Sequence, residues 1–199
     1  MAPETQFSAG KIIDAAIGIT RAHGIDAVTA RSIAKELGCS VKPIFTAFDN
    51  MDDAIEATVE RARSIFTEFM QKPYEKLSFM RIGLRWIDFA RTEPNLYKLL
   101  FVPSARGARL TTPLNVFMNF EGLTEKIVPI VASEFGLSGD KAYRLYNQMI
   151  IHAHGMACIL VSGQTDFTEQ SIREIFSETV ESLVGYYNCL LYTSDAADD

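Results

Sequence analysis

Residues 29–48 read TARSIAKELGCSVKPIFTAF, and this stretch decides the fold. Its apolar residues Ile33, Leu37, Val41 and Ile44 recur at intervals of three and four, the period of one face of a helix. Ala34 is small enough for two helices to cross at close range, and Gly38, four residues on, takes a tight turn that a β-carbon would crowd. Thr29 offers an N-cap oxygen to the first helix of the pair, which ends near Leu37. Ser40 offers one to the second, where Pro43 falls in the first turn and its missing N–H is not needed. This is the pattern of a helix-turn-helix. Its second helix protrudes as a rod, with Ser40, Lys42, Pro43, Phe45 and Thr46 on or near the outer side and able to enter a major groove. An ordinary corner in a helical domain has the same spacing, so spacing alone leaves both readings open.

Outward from this stretch, the periodic segments keep the three-and-four repeat, and strand-like alternation is absent, which predicts an all-α chain. Upstream, a helix over about Phe7 to Ala22 buries Ile12, Ala16 and Ile19, with Ile13 beside them, and Gly24 supplies its left-handed stop. Downstream, Asn50 caps a helix to about Met70, with Asp52 and Asp53 in its first turn, where acidic charge suits the helix dipole. Helices are then expected over Tyr74 to Arg91, Asn95 to Phe101 and Leu114 to Phe135, the last kinked or broken at Pro129, with a loop from Val102 to Pro113. The last two, Asp140 to Ser162 and Thr168 to Asn188, are the most periodic. The domain reading is a helix-turn-helix domain over residues 1–50, a connecting helix at 50–70 and a second helical domain over 74–188.

The 199 residues are 48% hydrophobic and 22% charged, which excludes wholesale disorder and fits a soluble globular protein. No apolar run reaches the 18 or so residues of a membrane helix, and the start MAPETQFSAGK lacks a secretory pattern, so the expected location is the cytoplasm, with no membrane partner. Cys39, Cys158 and Cys189 are far apart and fit no metal-ligand spacing, so they read as reduced thiols. The net charge of −6 argues against a protein coated in basic surface, but a local basic patch hides inside such an average. Half of that charge lies in residues 189–199, CLLYTSDAADD, an abrupt acidic shift that resembles translated read-through of a sequencing adapter and is read as a non-native tail. Without it, 19 basic stand against 22 acidic side chains, a net −3.

Residues 12–55, from IIDAAIGITRAHGID through VTARSIAKELGCS to DNMDDAI, resemble the DNA-binding domain of tetracycline-repressor (TetR/AcrR) family regulators. WIDFARTEPNLYKLLF (Trp86 to Phe101) and IIHAHGMACIL (Ile150 to Leu160) are similar, more weakly, to the WHG-type effector domain of part of that family. The resemblance implies a ligand-responsive transcriptional repressor that binds a double-stranded DNA operator as a homodimer and is released by a small molecule. It places Thr29 and Ser40 at helix starts that meet phosphates, Lys42, Pro43, Phe45 and Thr46 on the recognition helix, and Arg31 and Asn50 beside them. Two departures stand out: Phe45 replaces a tyrosine that many relatives carry, and Met51 a lysine, each removing a phosphate anchor. Residues 1–50 hold five Lys and Arg against five Asp and Glu, so binding leans on few charges and its salt dependence is expected to be shallow. The alternative is a helical ligand- or partner-binding protein that has lost operator recognition.

A recognition helix reads few base pairs, so specificity calls for a two-fold dimer, and the last two helices are its expected interface. Ala153, Gly155 and Ala157 offer close approach there, and the stripe Ile172 to Tyr187 completes a four-helix bundle. Trp86, Phe89, Phe101, Phe117, Met118, Met149, His152 and Met156 are candidates to line an effector pocket. His152 and His154 stand about 200° apart on a helix and cannot chelate one ion, so no metal is expected. No cofactor is implied. Gly-rich phosphate loops, nucleophile elbows and paired-histidine motifs are missing, which argues against an enzyme.

Overall fold

In the computed structural model, residues 7–73, 78–102, 122–163, 165 and 167–194 are described, and among them all regular structure is helical. Ser8 accepts a hydrogen bond from the Lys11 N–H at 3.4 Å and opens α1 (Ala9–His23). Ile12, Ala16 and Ile19 are buried as expected, and Ala15, Ile17 and Thr20 join them, Thr20 turning its hydroxyl back to the Ala16 carbonyl at 2.8 Å. α1 ends at Gly24, whose φ of 81° is positive but whose ψ of 167° lies outside the left-handed helical well expected there. A short 3₁₀ turn, Ile25–Ala27, leads to α2 (Ala30–Leu37), α3 (Lys42–Ala47) and the 20-residue α4 (Met51–Met70).

Beyond α4 come α5 (Phe79–Thr92) and α6 (Pro94–Phe101), then α7 (Leu123–Phe135), α8 (Gly139–Ser162) and α9 (Glu169–Ser194). α7 begins after Gly122, which sits in the left-handed region at φ 70°, and it runs through Pro129 without ending there. The expected start at Leu114 lies outside the described residues, as does most of the expected loop at 102–113. α9 continues to Ser194 instead of stopping at Asn188, so the change in composition at Cys189 brings no break in the backbone there. Among the described residues no helix is long and apolar enough to cross a membrane.

Two compact units emerge. α1 to α4 and α6 form the first; α5 and α7 to α9 form the second. The first is therefore built from two separate stretches of chain, whereas the sequence reading has one continuous domain over residues 1–50, a connecting helix and a second domain over 74–188. The reason is α6: Phe101 meets Phe66 of α4 edge-on at 5.0 Å between ring centres, and Tyr97 lies 5.0 Å from the same Phe101 ring. Arg21, near the end of α1, pairs in a fork with Glu93, its Nε 3.0 and 3.1 Å from the two carboxylate oxygens and Nη2 2.7 Å from one. That fork holds the guanidinium above its ordinary pKa. Asn95 adds a hydrogen bond to the Arg21 carbonyl at 2.8 Å.

In the second unit α7 and α9 both pack along α8. α5 is anchored by its first N–H, on Phe79, which donates to the Glu134 carboxylate at 2.7 Å. Gly83 of α5 faces the fully buried Phe176 of α9 so closely that a Cβ at Gly83 would fall 2.2 Å from the ring.

Candidate nucleic-acid interface

α2 starts with a reciprocal cap. The Ser32 N–H donates to Thr29 Oγ1 at 3.1 Å, while the Thr29 N–H donates to Ser32 Oγ at 2.9 Å, satisfying two N–H groups that the first turn would leave unpaired. At the other end Gly38 adopts φ 64°, ψ 35°, and the Cys39 N–H returns to the Ala34 carbonyl at 2.9 Å. Closing the helix this way needs the left-handed conformation, which is why glycine stands at this position. Cys39 thus serves through its backbone.

Ile33 and Ile44 are wholly buried and Ala34 nearly so, so α2 and α3 are clamped onto α1 as the spacing predicted. Two expectations need correcting. Ser40 does not cap α3: the cap position is Val41, at φ −71° and ψ −14°, and no side chain bonds the first turn. The chain already curls into helical geometry at Val41, which leaves Ser40 one step outside. Val41 is also no part of the core; it is 39% exposed, as is Phe45 to 50%. A three-and-four repeat groups Val41 with Ile44 and Leu37, but the turn between two short helices resets the phase.

On the outer side of α3, Lys42 and Thr46 stand one turn apart, and Val41 and Phe45 stand one turn apart beside them. Thr46 gives its hydroxyl proton to the Lys42 carbonyl at 2.9 Å. Pro43 is half-buried. Arg31 and Lys35 of α2 and Lys42 of α3 are exposed, with no ion pair to a described residue. Asn50 caps α4, accepting from the Asp53 N–H and donating to the Asp53 carboxylate, both at 3.0 Å. Its amide is therefore engaged, as is the Thr29 hydroxyl, and both sit at exposed helix starts.

The pocket candidates divide. Trp86, Phe89, Met149 and Met156 are buried in the second unit, where His152 is half-buried 3.5 Å from Thr179 Oγ1 and 6.0 Å from the Phe176 ring centre. Phe101 belongs to the first unit, against Phe66 and Tyr97. Phe117 and Met118 lie outside the described residues. His154 stands with Nε2 3.4 Å from Cys158 Sγ, four residues on and so on the same helix face, a pair that the spacing of the two histidines does not announce. Burial lowers the pKa of both imidazoles and raises that of the Cys158 thiol. Among the described residues no group of three or more metal-ligating side chains converges.

Residues 12–58, which run from α1 through α2 and α3 into α4, match the family described as bacterial regulatory proteins, tetR family. No curated protein is significantly similar to the chain.

Proposed function

We propose, for a chain whose N-terminal domain is that of the bacterial regulatory proteins of the tetR family, that it is a ligand-responsive repressor released from its operator by a small molecule. The observation that carries this reading is the exposed face of α3, within the matched residues, which presents Lys42, Phe45 and Thr46 on a scaffold held rigid by buried Ile33 and Ile44. In the complex α3 lies in the major groove, with Lys42, Pro43, Phe45 and Thr46 toward the bases and backbone. Thr29, Arg31, Ser40 and Asn50 meet the flanking phosphates.

The active form is a homodimer through α8 and α9. Supporting this, Ile151 and Ile159 of α8 and Tyr186 of α9 are large apolar side chains left 56%, 46% and 59% exposed, and Gly155 lies between the two isoleucines. Ala153 and Ala157, the other small residues expected there, are buried inside their own unit, because residues two apart on a helix face nearly opposite ways. The effector binds in the second unit, beside Trp86, Phe89, Met149, His152 and Met156. Only Glu93 separates α5 of that unit from α6 of the first, so α6 as well as α4 carries the response. The effector acts by binding more tightly to a dimer whose two reading heads are wrongly spaced for successive grooves.

The test is a fluorescence-anisotropy titration against the DNA flanking the protein's own gene, followed by a screen for small molecules that release it. Specific binding, weakened by Lys42→Ala and reversed by a compound, supports the reading. An absence of binding even at low salt rejects it.

A further inference from the structure

Within the first unit, Val41 and Phe45 are the only large hydrophobic side chains that stand exposed among the described residues. An isolated exposed apolar residue is ordinary. These two are one helical turn apart on the reading side of α3, flanked by Lys42 and Thr46, and α3 contains no carboxylate. Arg31 and Lys35 of α2 and Lys42 of α3 are exposed cations on the same helix-turn-helix, against one exposed carboxylate there, Glu36. Neither a phenyl ring nor an isopropyl group offers a donor or acceptor, and the apolar group that the major groove presents is the 5-methyl of thymine.

We propose that Val41 and Phe45 are specificity residues that read thymine methyl groups, so that each operator half-site carries thymines opposite α3. Side chains four residues apart are separated by about 6 Å along the helix, roughly two base-pair steps, which places the two thymines within about three base pairs of one another. Phe45 then has a use of its own: it exchanges a phosphate anchor for a methyl contact. The proposal rests on the DNA-reading function above.

The test selects binders of the full-length protein from a library of random duplexes at low salt, then replaces each enriched thymine by deoxyuridine, which removes the methyl and leaves the pairing intact. In each half-site two of these replacements are expected to weaken binding about three- to five-fold each, the worth of one buried methyl-sized group. Phe45→Ala is expected to abolish the thymine-to-uracil preference at one of the two positions and Val41→Ala at the other; Phe45→Tyr keeps it. Equal affinity for thymine and uracil duplexes, or an enriched site without thymine, overturns the proposal while leaving a DNA-binding regulator. Failure to enrich any duplex overturns the DNA-reading function itself.

Discussion

Lys42 is the one cation on α3. Phosphate anchors contribute additively to the salt dependence of DNA binding, about 0.9 of log–log slope each, so Lys42→Ala, which removes one anchor from each protomer of the dimer, is expected to lower that slope by about two and weaken all sequences alike. Titrations at three salt concentrations measure it, and an unchanged slope would show that Lys42 touches no phosphate. His152 and His154 make a second residue-scale prediction. Burial holds both imidazoles below the ordinary value of 6.5, so the unfolded chain takes up protons first as the solution is acidified. The stability of the neutral pair is fully present above pH 6.5 and is lost as pH falls through the lower folded values. Thermal melts at pH 7.5 and 5.5 are expected to show the loss, and replacing both histidines by glutamine is expected to flatten it. At this scale the sequence was a fair guide to the buried positions of α1 and the outward residues Lys42, Phe45 and Thr46. It misassigned Val41 and Ser40 because a period counted along the chain assumes one continuous helix, and the turn at Gly38 interrupts it.

Among the elements, α5 and α9 are fastened where Gly83 admits the ring of Phe176. Gly83→Ala inserts a carbon where the nearest ring atom would be 2.2 Å away, and overpacking of this kind costs about 1–3 kcal/mol. Urea unfolding is expected to show that loss, with partial recovery on adding Phe176→Leu; a variant as stable as the parent would mean that the second unit repacks freely. Nothing in the periodicity of α5 marks Gly83, since the constraint comes from a residue 93 positions later. The same applies to the division of the pocket candidates. Aromatic residues at helical spacing announce burial, and Trp86, Phe89 and Phe101 are all buried, but the strip of sequence does not say that Phe101 turns toward Phe66. The starts of α2 and α4 were legible because Thr29 and Asn50 cap them, whereas α6 begins one residue before the expected Asn95, with Pro94 in its first turn and no side-chain cap. α9 outruns the expected end at Asn188 because a change in composition is not a stop signal, and neither glycine nor proline follows Asn188.

For the whole molecule, the five-against-five charge balance of residues 1–50 limits how much affinity can come from phosphates. The total salt slope is therefore expected to fall well short of the ten or so that a heavily basic dimeric repressor shows. Ile159→Glu is expected to halve the solution mass measured by light scattering and to remove specific binding, while leaving the helical circular dichroism unchanged; a dimeric mass in that variant would place the interface elsewhere. The all-helical class and the helix-turn-helix were legible because each rests on short-range signals, the period of a helix and the glycine turn at Gly38. The two-unit organisation was not, because it depends on α6 rejoining α1 and α4 after an intervening helix of the other unit. That return limits modularity. A chimera that grafts residues 1–71 onto a foreign sensing domain would leave α6 behind, uncovering the Phe66 ring, which is only 1% exposed in the intact chain, and stripping Arg21 of its carboxylate. A transplantable first unit from this protein must bring the segment from Glu93 to Phe101 with it, so exchange by recombination has to preserve two junctions instead of one.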